Sequence, residues 1–182
     1  MYKFGSNVLK LLKMLHIVLI VLFLGGILSS YALTLNLNLS DFDQVYLTYK
    51  SLGIISDDVV KIGALGTIGL GLVYGFFTRW GFVKHKWLAV KWVVFIAQTF
   101  IGILVVDKLR VANMMLLETH RVATLSDPVF IDNHYLRQYV VIVQIILTLT
   151  ALVLSVTKPG RTRSNASEAK LPGITQKAET EA

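Results

Sequence analysis

Four stretches of this chain stay apolar for long enough to cross a lipid bilayer, and that constrains its fold more than any other feature. A hydrocarbon core about 30 Å thick is spanned by roughly 20 helical residues, each rising about 1.5 Å. Runs of this kind lie near Met14 to Leu33, Val59 to Phe77, Trp87 to Val106 and Tyr139 to Val156, each with at most one or two ionisable residues near an end. Lipid offers backbone amides no partner, so such runs must be helical. Four of them predict an all-α fold, an integral membrane four-helix bundle over residues 1–157. Composition agrees, with 54% of the 182 residues hydrophobic, 16% charged and a mean hydropathy of +0.64. All three prolines lie beyond Ser126, which leaves the first two thirds free of helix breakers.

The first run could also be read as a signal peptide, since Lys3, Lys10 and Lys13 precede it and Ser30-Tyr31-Ala32 is a tolerable cleavage site. Its length favours a retained helix. Orientation follows from the positive charges. The three early lysines, then Arg79, Lys84, Lys86 and Lys91, then Lys158, Arg161 and Arg163 share one side, which predicts a multi-pass protein of the cell (inner) membrane with both termini cytoplasmic. Every acidic residue outside the C-terminal tail falls on the opposite side. The net charge of +7 is spread without a block of five like charges, which argues against nucleic acid as a partner. The absence of cysteine excludes disulfides, thiolate zinc sites, Cys-ligated iron–sulfur clusters and covalently attached haem.

The segment from Thr34 to Ser56 is too long for a tight turn. Ser40-Asp41-Phe42-Asp43 predicts an N-cap with an acid three residues on, and Gly53 a helix end. Phe42, Val45, Tyr46 and Tyr49 would make this a short interfacial helix in the first outer loop, its aromatic side toward the headgroups. Ser56-Asp57-Asp58 reads as a polar stop opening the second span, its acids suiting a helix N-terminus. Leu109, Ala112 and Leu116 recur at helical spacing, extending the third span through 107–125 until Asp127-Pro128 breaks it. Residues 158–182 are polar and aperiodic, and are expected to form a disordered cytoplasmic tail.

Helix faces carry the functional signal. Gly63, Thr67, Gly71 and Gly75 are spaced four apart, a stripe on which either another helix or a flat cofactor can lie closely. His16, Phe23, Ser30 and Thr34 share a line, as do Lys91 with Gln98, and Arg137 with Gln144, Thr148, Ala151 and Ser155; these faces should turn inward. His16 and Lys91 lie a few residues inside the same end of their spans, and an ionisable group below the interface is a candidate functional residue. Lys91 is long enough to snorkel to the headgroups, whereas His16 is not. His85 sits in the basic inner loop. His120 and His134 flank the fourth span on the outer side and could form a metal pair, although they lack the i, i+4 spacing of a helical metal site.

Leu15-His16, six intervening residues and then Phe23-Leu24-Gly25-Gly26 resemble the first helix of small bacterial membrane proteins of the CopD-like and HemJ-like kinds. In those a histidine is followed seven residues later by an aromatic, usually Trp, and then by small residues. Trp87-Leu88-Ala89-Val90-Lys91 resembles the W-L-x-x-K segment of HemJ-like proteins. The matches cover the first and third spans. HemJ-like proteins are protoporphyrinogen oxidases with b-type haem, and CopD-like proteins are associated with copper uptake. The resemblance therefore implies haem b as cofactor, His16 as its metal ligand, Lys91 as the inner-side cation, and electron transfer or porphyrin or quinone redox chemistry as the function. Phe23 replaces the usual Trp, and Ile27 to Leu33 replaces the arginine- and tyrosine-rich continuation of the HemJ-like helix. A b-type haem needs an imidazole, a flat apolar slot and cations near its propionates. His16, the glycine-rich second span and Lys91 with Lys84 could supply them, and His85 is the only candidate for a sixth ligand. The alternative is a non-catalytic accessory or transport component, copper handling included, whose polar stripes join helices to one another, to a homo-oligomeric copy or to a membrane redox partner. No nucleotide-binding glycine loop and no Ser/His/Asp constellation is evident.

Overall fold

The computed structural model describes residues 5–77 and 86–157, and among these no strand occurs. Helices α1 (Ser6–Leu35), α2 (Phe42–Ile54), α3 (Lys61–Phe77), α4 (Lys86–Ile101), α5 (Asp107–His120) and α6 (Pro128–Thr157) follow in order. A π-helical segment, Ile55–Val60, joins α2 to α3, and a second, Gly102–Val106, joins α4 to α5. A 3₁₀ segment, Arg121–Ser126, follows α5. Four helices, Ser6–Leu35, Phe42–Phe77, Leu88–Ser126 and Pro128–Thr157, are long and apolar enough to cross a membrane. With four antiparallel passes, the start of α1 and the end of α6 fall at one end of the bundle, here termed the terminal end. The predicted tail, residues 158–182, lies outside the described residues.

Three local expectations are corrected. Asp41 rather than Ser40 caps α2: its backbone is extended and its carboxylate accepts from the Gln44 amide at 3.1 Å. Asp has the shorter reach to that amide and adds a charge matched to the positive helix end. Gly53 does not end α2, and Ser56-Asp57-Asp58 does not start a new helix, because the π segment absorbs an extra residue without interrupting the helix. The polar groups there are satisfied sideways instead. Ser56 Oγ donates to Asp107 Oδ1 at 3.2 Å, and Lys61 Nζ to Asp107 Oδ2 at 3.0 Å.

The third correction concerns the aromatic side of α2. Val45, Tyr49 and Leu52 are fully buried, and Val45 and Tyr49 pack with Leu117 of α5 and Phe130 of α6. The apolar face has found a protein partner, forming a second core that caps the bundle at the end away from the termini. Within the bundle, Phe23, Ile27, Ala64 and Val141 form the main core, with the Phe23 and Phe95 rings 5.3 Å apart. A Cβ on Gly63 would lie 2.6 Å from Phe23 N and 2.9 Å from Leu19 O, so the backbones of α1 and α3 touch there. This is the close approach that small residues permit. The inward lines are largely as expected: Phe23, Ser30, Thr34, Gln98, Arg137, Gln144 and Thr148 are buried, whereas His16, Lys91, Ala151 and Ser155, toward the terminal end, are half-buried. Val21, Leu65, Phe76 and Val153 point outward and are more than half exposed, as suits a lipid-facing surface.

Candidate functional site

The glycine stripe of α3 serves two purposes along its length. At Gly63 it holds α1, whereas Thr67, Gly71 and Gly75 line a cavity of about 450 Å³ toward the terminal end of the bundle. All four long helices contribute walls. His16, Ile20 and Phe23 come from α1, Trp92, Phe95 and Gln98 from α4, and Thr148, Ala151 and Ser155 from α6. Lys91 of α4 and Lys13 of α1 also border it. A Cβ on Gly71 would approach the Trp92 ring to 2.8 Å, so the indole lies directly over the bare stretch of helix.

Polar atoms around this apolar space lack protein partners. His16 Nδ1, Thr67 Oγ1 and Gln98 Nε2 are each buried without a hydrogen bond. The His16 ring stands edge-on to Tyr74, with centroids 6.3 Å apart and planes at 71°. Burying such groups unpaired is unfavourable, and three of them around one cavity suit a ligand that brings acceptors or a metal. The sequence-predicted pair is therefore brought together: His16 and Lys91 border the same space. His85 lies outside the described residues. Among the described residues, His16 is the only histidine lining the cavity.

The residues present fit a b-type haem. An imidazole nitrogen without a hydrogen bond can ligate iron, Lys91 and Lys13 can meet carboxylates, and a flat ring would lie on the glycine wall once the Trp92 indole that covers Gly71 turns aside. The outer histidines do not form the expected metal pair. His134 is buried with both ring nitrogens engaged, Nδ1 with Tyr49 Oη at 2.9 Å and Nε2 with Gln138 Nε2 at 2.9 Å, which leaves no lone pair for a metal. His120 is exposed at the end of α5. Among the described residues no group of three or more His, Asp or Glu is placed to hold a metal ion.

Two clusters were not legible beforehand. Lys61 and Arg110 each meet both Asp57 and Asp107. Lys61 Nζ lies 3.0 Å from Asp107, Arg110 Nη2 lies 2.7 Å from Asp107 and 3.7 Å from Asp57, and Lys61 also bonds Asp57 one turn away. The local spacings, i, i+4 for Asp57 and Lys61 and i, i+3 for Asp107 and Arg110, were the only sequence signal. The second cluster joins Asn113 to Tyr49 Oη at 2.9 Å and to the Phe130 carbonyl at 3.0 Å, and Asn133 to Asn113 at 3.0 Å. No family model matches this chain, and neither a curated protein nor a solved structure does.

Proposed function

We propose that this is a multi-pass protein of the cell inner membrane, with both termini cytoplasmic, that binds a b-type haem among α1, α3, α4 and α6. One observation carries the reading: His16 and Lys91 border a single cavity together with Trp92 and the glycines Gly71 and Gly75 of α3. The resemblance of the first and third spans to HemJ-like proteins points the same way, and the Lys/Arg distribution supports the orientation. When bound, haem supplies a one-electron carrier within the bilayer. The chain's own residues would hold and tune it. His16 offers a neutral imidazole, Lys91 and Lys13 offset propionate charge, and Phe23, Trp92 and Phe95 keep water from the ring faces.

A second reading, a non-catalytic accessory whose polar stripes only join helices, draws on Gln144 Nε2 donating to the Gln98 carbonyl at 2.9 Å and Thr148 Oγ1 to Gln98 Oε1 at 3.1 Å. Such bonds are typically worth about 0.6 kcal/mol each in a membrane. Visible absorption of detergent-purified protein, produced with ample haem supply, separates the two. The haem reading requires a Soret band in the wild type, its loss in His16→Ala, and its retention with weaker affinity in Lys91→Met. A wild type without haem leaves the accessory reading.

A further inference from the structure

Arg137 is 3% exposed, yet its Nε and Nη1 are buried without a hydrogen-bond partner, and it forms no ion pair among the described residues. A guanidinium keeps its charge at any physiological pH and normally meets a carboxylate or several carbonyls when buried. The carboxylate that lines the same cavity as Arg137 is already taken: Asp107 is shared by Lys61 and Arg110, and Asp57 is engaged by the same two cations. Three cations against two carboxylates leave one positive charge uncompensated. Arg137 lines a small cavity of about 50 Å³, which adjoins the larger one at Phe23 and Gln98, together with Lys61, Asp107, Arg110 and Gln144. Gln98 Nε2 is a further buried donor without an acceptor. The lining thus sets three cations, Lys61, Arg110 and Arg137, against one carboxylate, Asp107, which Lys61 and Arg110 already engage.

We propose that this cavity is a binding site for a small monoanion, of chloride or formate size, held by the Arg137 guanidinium toward the capped end of the bundle. The volume admits a few heavy atoms and no more. An acceptor-only ligand with one negative charge matches both the excess charge and the unpaired donors, which neutral water matches only in part. Lys61 and Asp57 are one third and one half exposed, so the ionic cluster runs from the cavity lining to the protein surface. This site borders the haem cavity at Phe23 and Gln98, but its anchor, Arg137, lines only the smaller one, so the Arg137 variants test it separately.

The test is thermal unfolding of the purified, detergent-solubilised full chain in sodium gluconate at constant ionic strength, with gluconate progressively replaced by chloride or by formate. The wild-type midpoint should rise by several degrees and saturate with either small anion, because a ligand that binds only the folded state stabilises it by mass action. Arg137→Met should show no such dependence, and in gluconate alone it should be at least as stable as the wild type, since it removes an unpaired buried charge. Arg137→Lys should keep the dependence with a half-saturating concentration about tenfold higher, because a point charge replaces a planar fork. Equal effects of chloride, formate and gluconate on the wild type, or no effect of any, would overturn the proposal without reference to a variant. So would an Arg137→Met chain that retains the wild-type response.

Discussion

Tyr49 Oη lies 2.9 Å from His134 Nδ1, and this one contact ties α2 to α6 across 85 positions of sequence. The same hydroxyl receives the Asn113 amide from α5 at 2.9 Å, so three helices meet on one oxygen. Tyr49→Phe keeps the ring among Val45, Leu117 and Phe130 but leaves His134 and Asn113 each short of a partner. The expected cost is about 1–3 kcal/mol, the penalty of unsatisfied buried groups. Denaturation of the purified protein would measure it, and a variant as stable as the wild type would show that the network has no structural weight.

Gly63 and Gly69 lie on the same helix with opposite surroundings. A Cβ at Gly63 would press on the backbone of α1, which cannot swing aside as a side chain can, whereas a Cβ at Gly69 would meet nothing within 4 Å. Gly63→Ala should destabilise by about 1–3 kcal/mol through overpacking. Gly69→Ala should be neutral, or stabilise by up to about 1 kcal/mol through helix propensity. Paired melting curves in one detergent decide this, and equal midpoints for the two variants would mean that α1 and α3 do not touch at Gly63.

Arg121 is the only described residue other than glycine with a positive φ, at 49° with ψ −125°, where α5 gives way to the 3₁₀ segment. An L side chain is strained in that region, and glycine is not. Arg121→Gly should therefore raise stability by about 1 kcal/mol, seen as a midpoint a few degrees higher. A lower midpoint would mean that the arginine side chain outweighs its backbone strain.

Orientation can be read with a single introduced thiol, because the chain has no cysteine of its own. Asp43→Cys, on the exposed side of α2, should react with an impermeant maleimide in intact cells. Labelling that appears only after the cytoplasm is opened would reverse the topology.

The four long helices and their inward lines were legible because lipid permits one backbone solution and period 3.6 marks one face. His16, Phe23, Ser30 and Thr34 needed nothing more. The course of 42–77 was not legible, since a widened turn at Ile55–Val60 shifts the periodicity and mimics a polar stop at Ser56-Asp57-Asp58. The burial of Tyr49 was hidden for another reason. An aromatic face on a short helix looks the same whether a headgroup or a protein covers it, and the cover here comes from α5 and α6 far along the chain. At the candidate site, the placing of His16 and Lys91 on one cavity followed from equal depth. The orphan guanidinium of Arg137 did not, because its meaning depends on where Asp57 and Asp107 are already engaged.

The two π segments have a consequence for how this chain tolerates insertion and deletion. Each helix residue turns the axis by about 100°, so a single extra residue held in a widened turn offsets everything before it from everything after it by about that angle. The capping core and the four-helix bundle are thus keyed to separate phases of the same two helices. Removing one residue from either segment would restore a regular helix and rotate Tyr49 or Asn113 away from the hydroxyl and amide they share. Point substitutions within 55–60 or 102–106 leave that phase intact, whereas changes in length there uncouple the cap from the bundle.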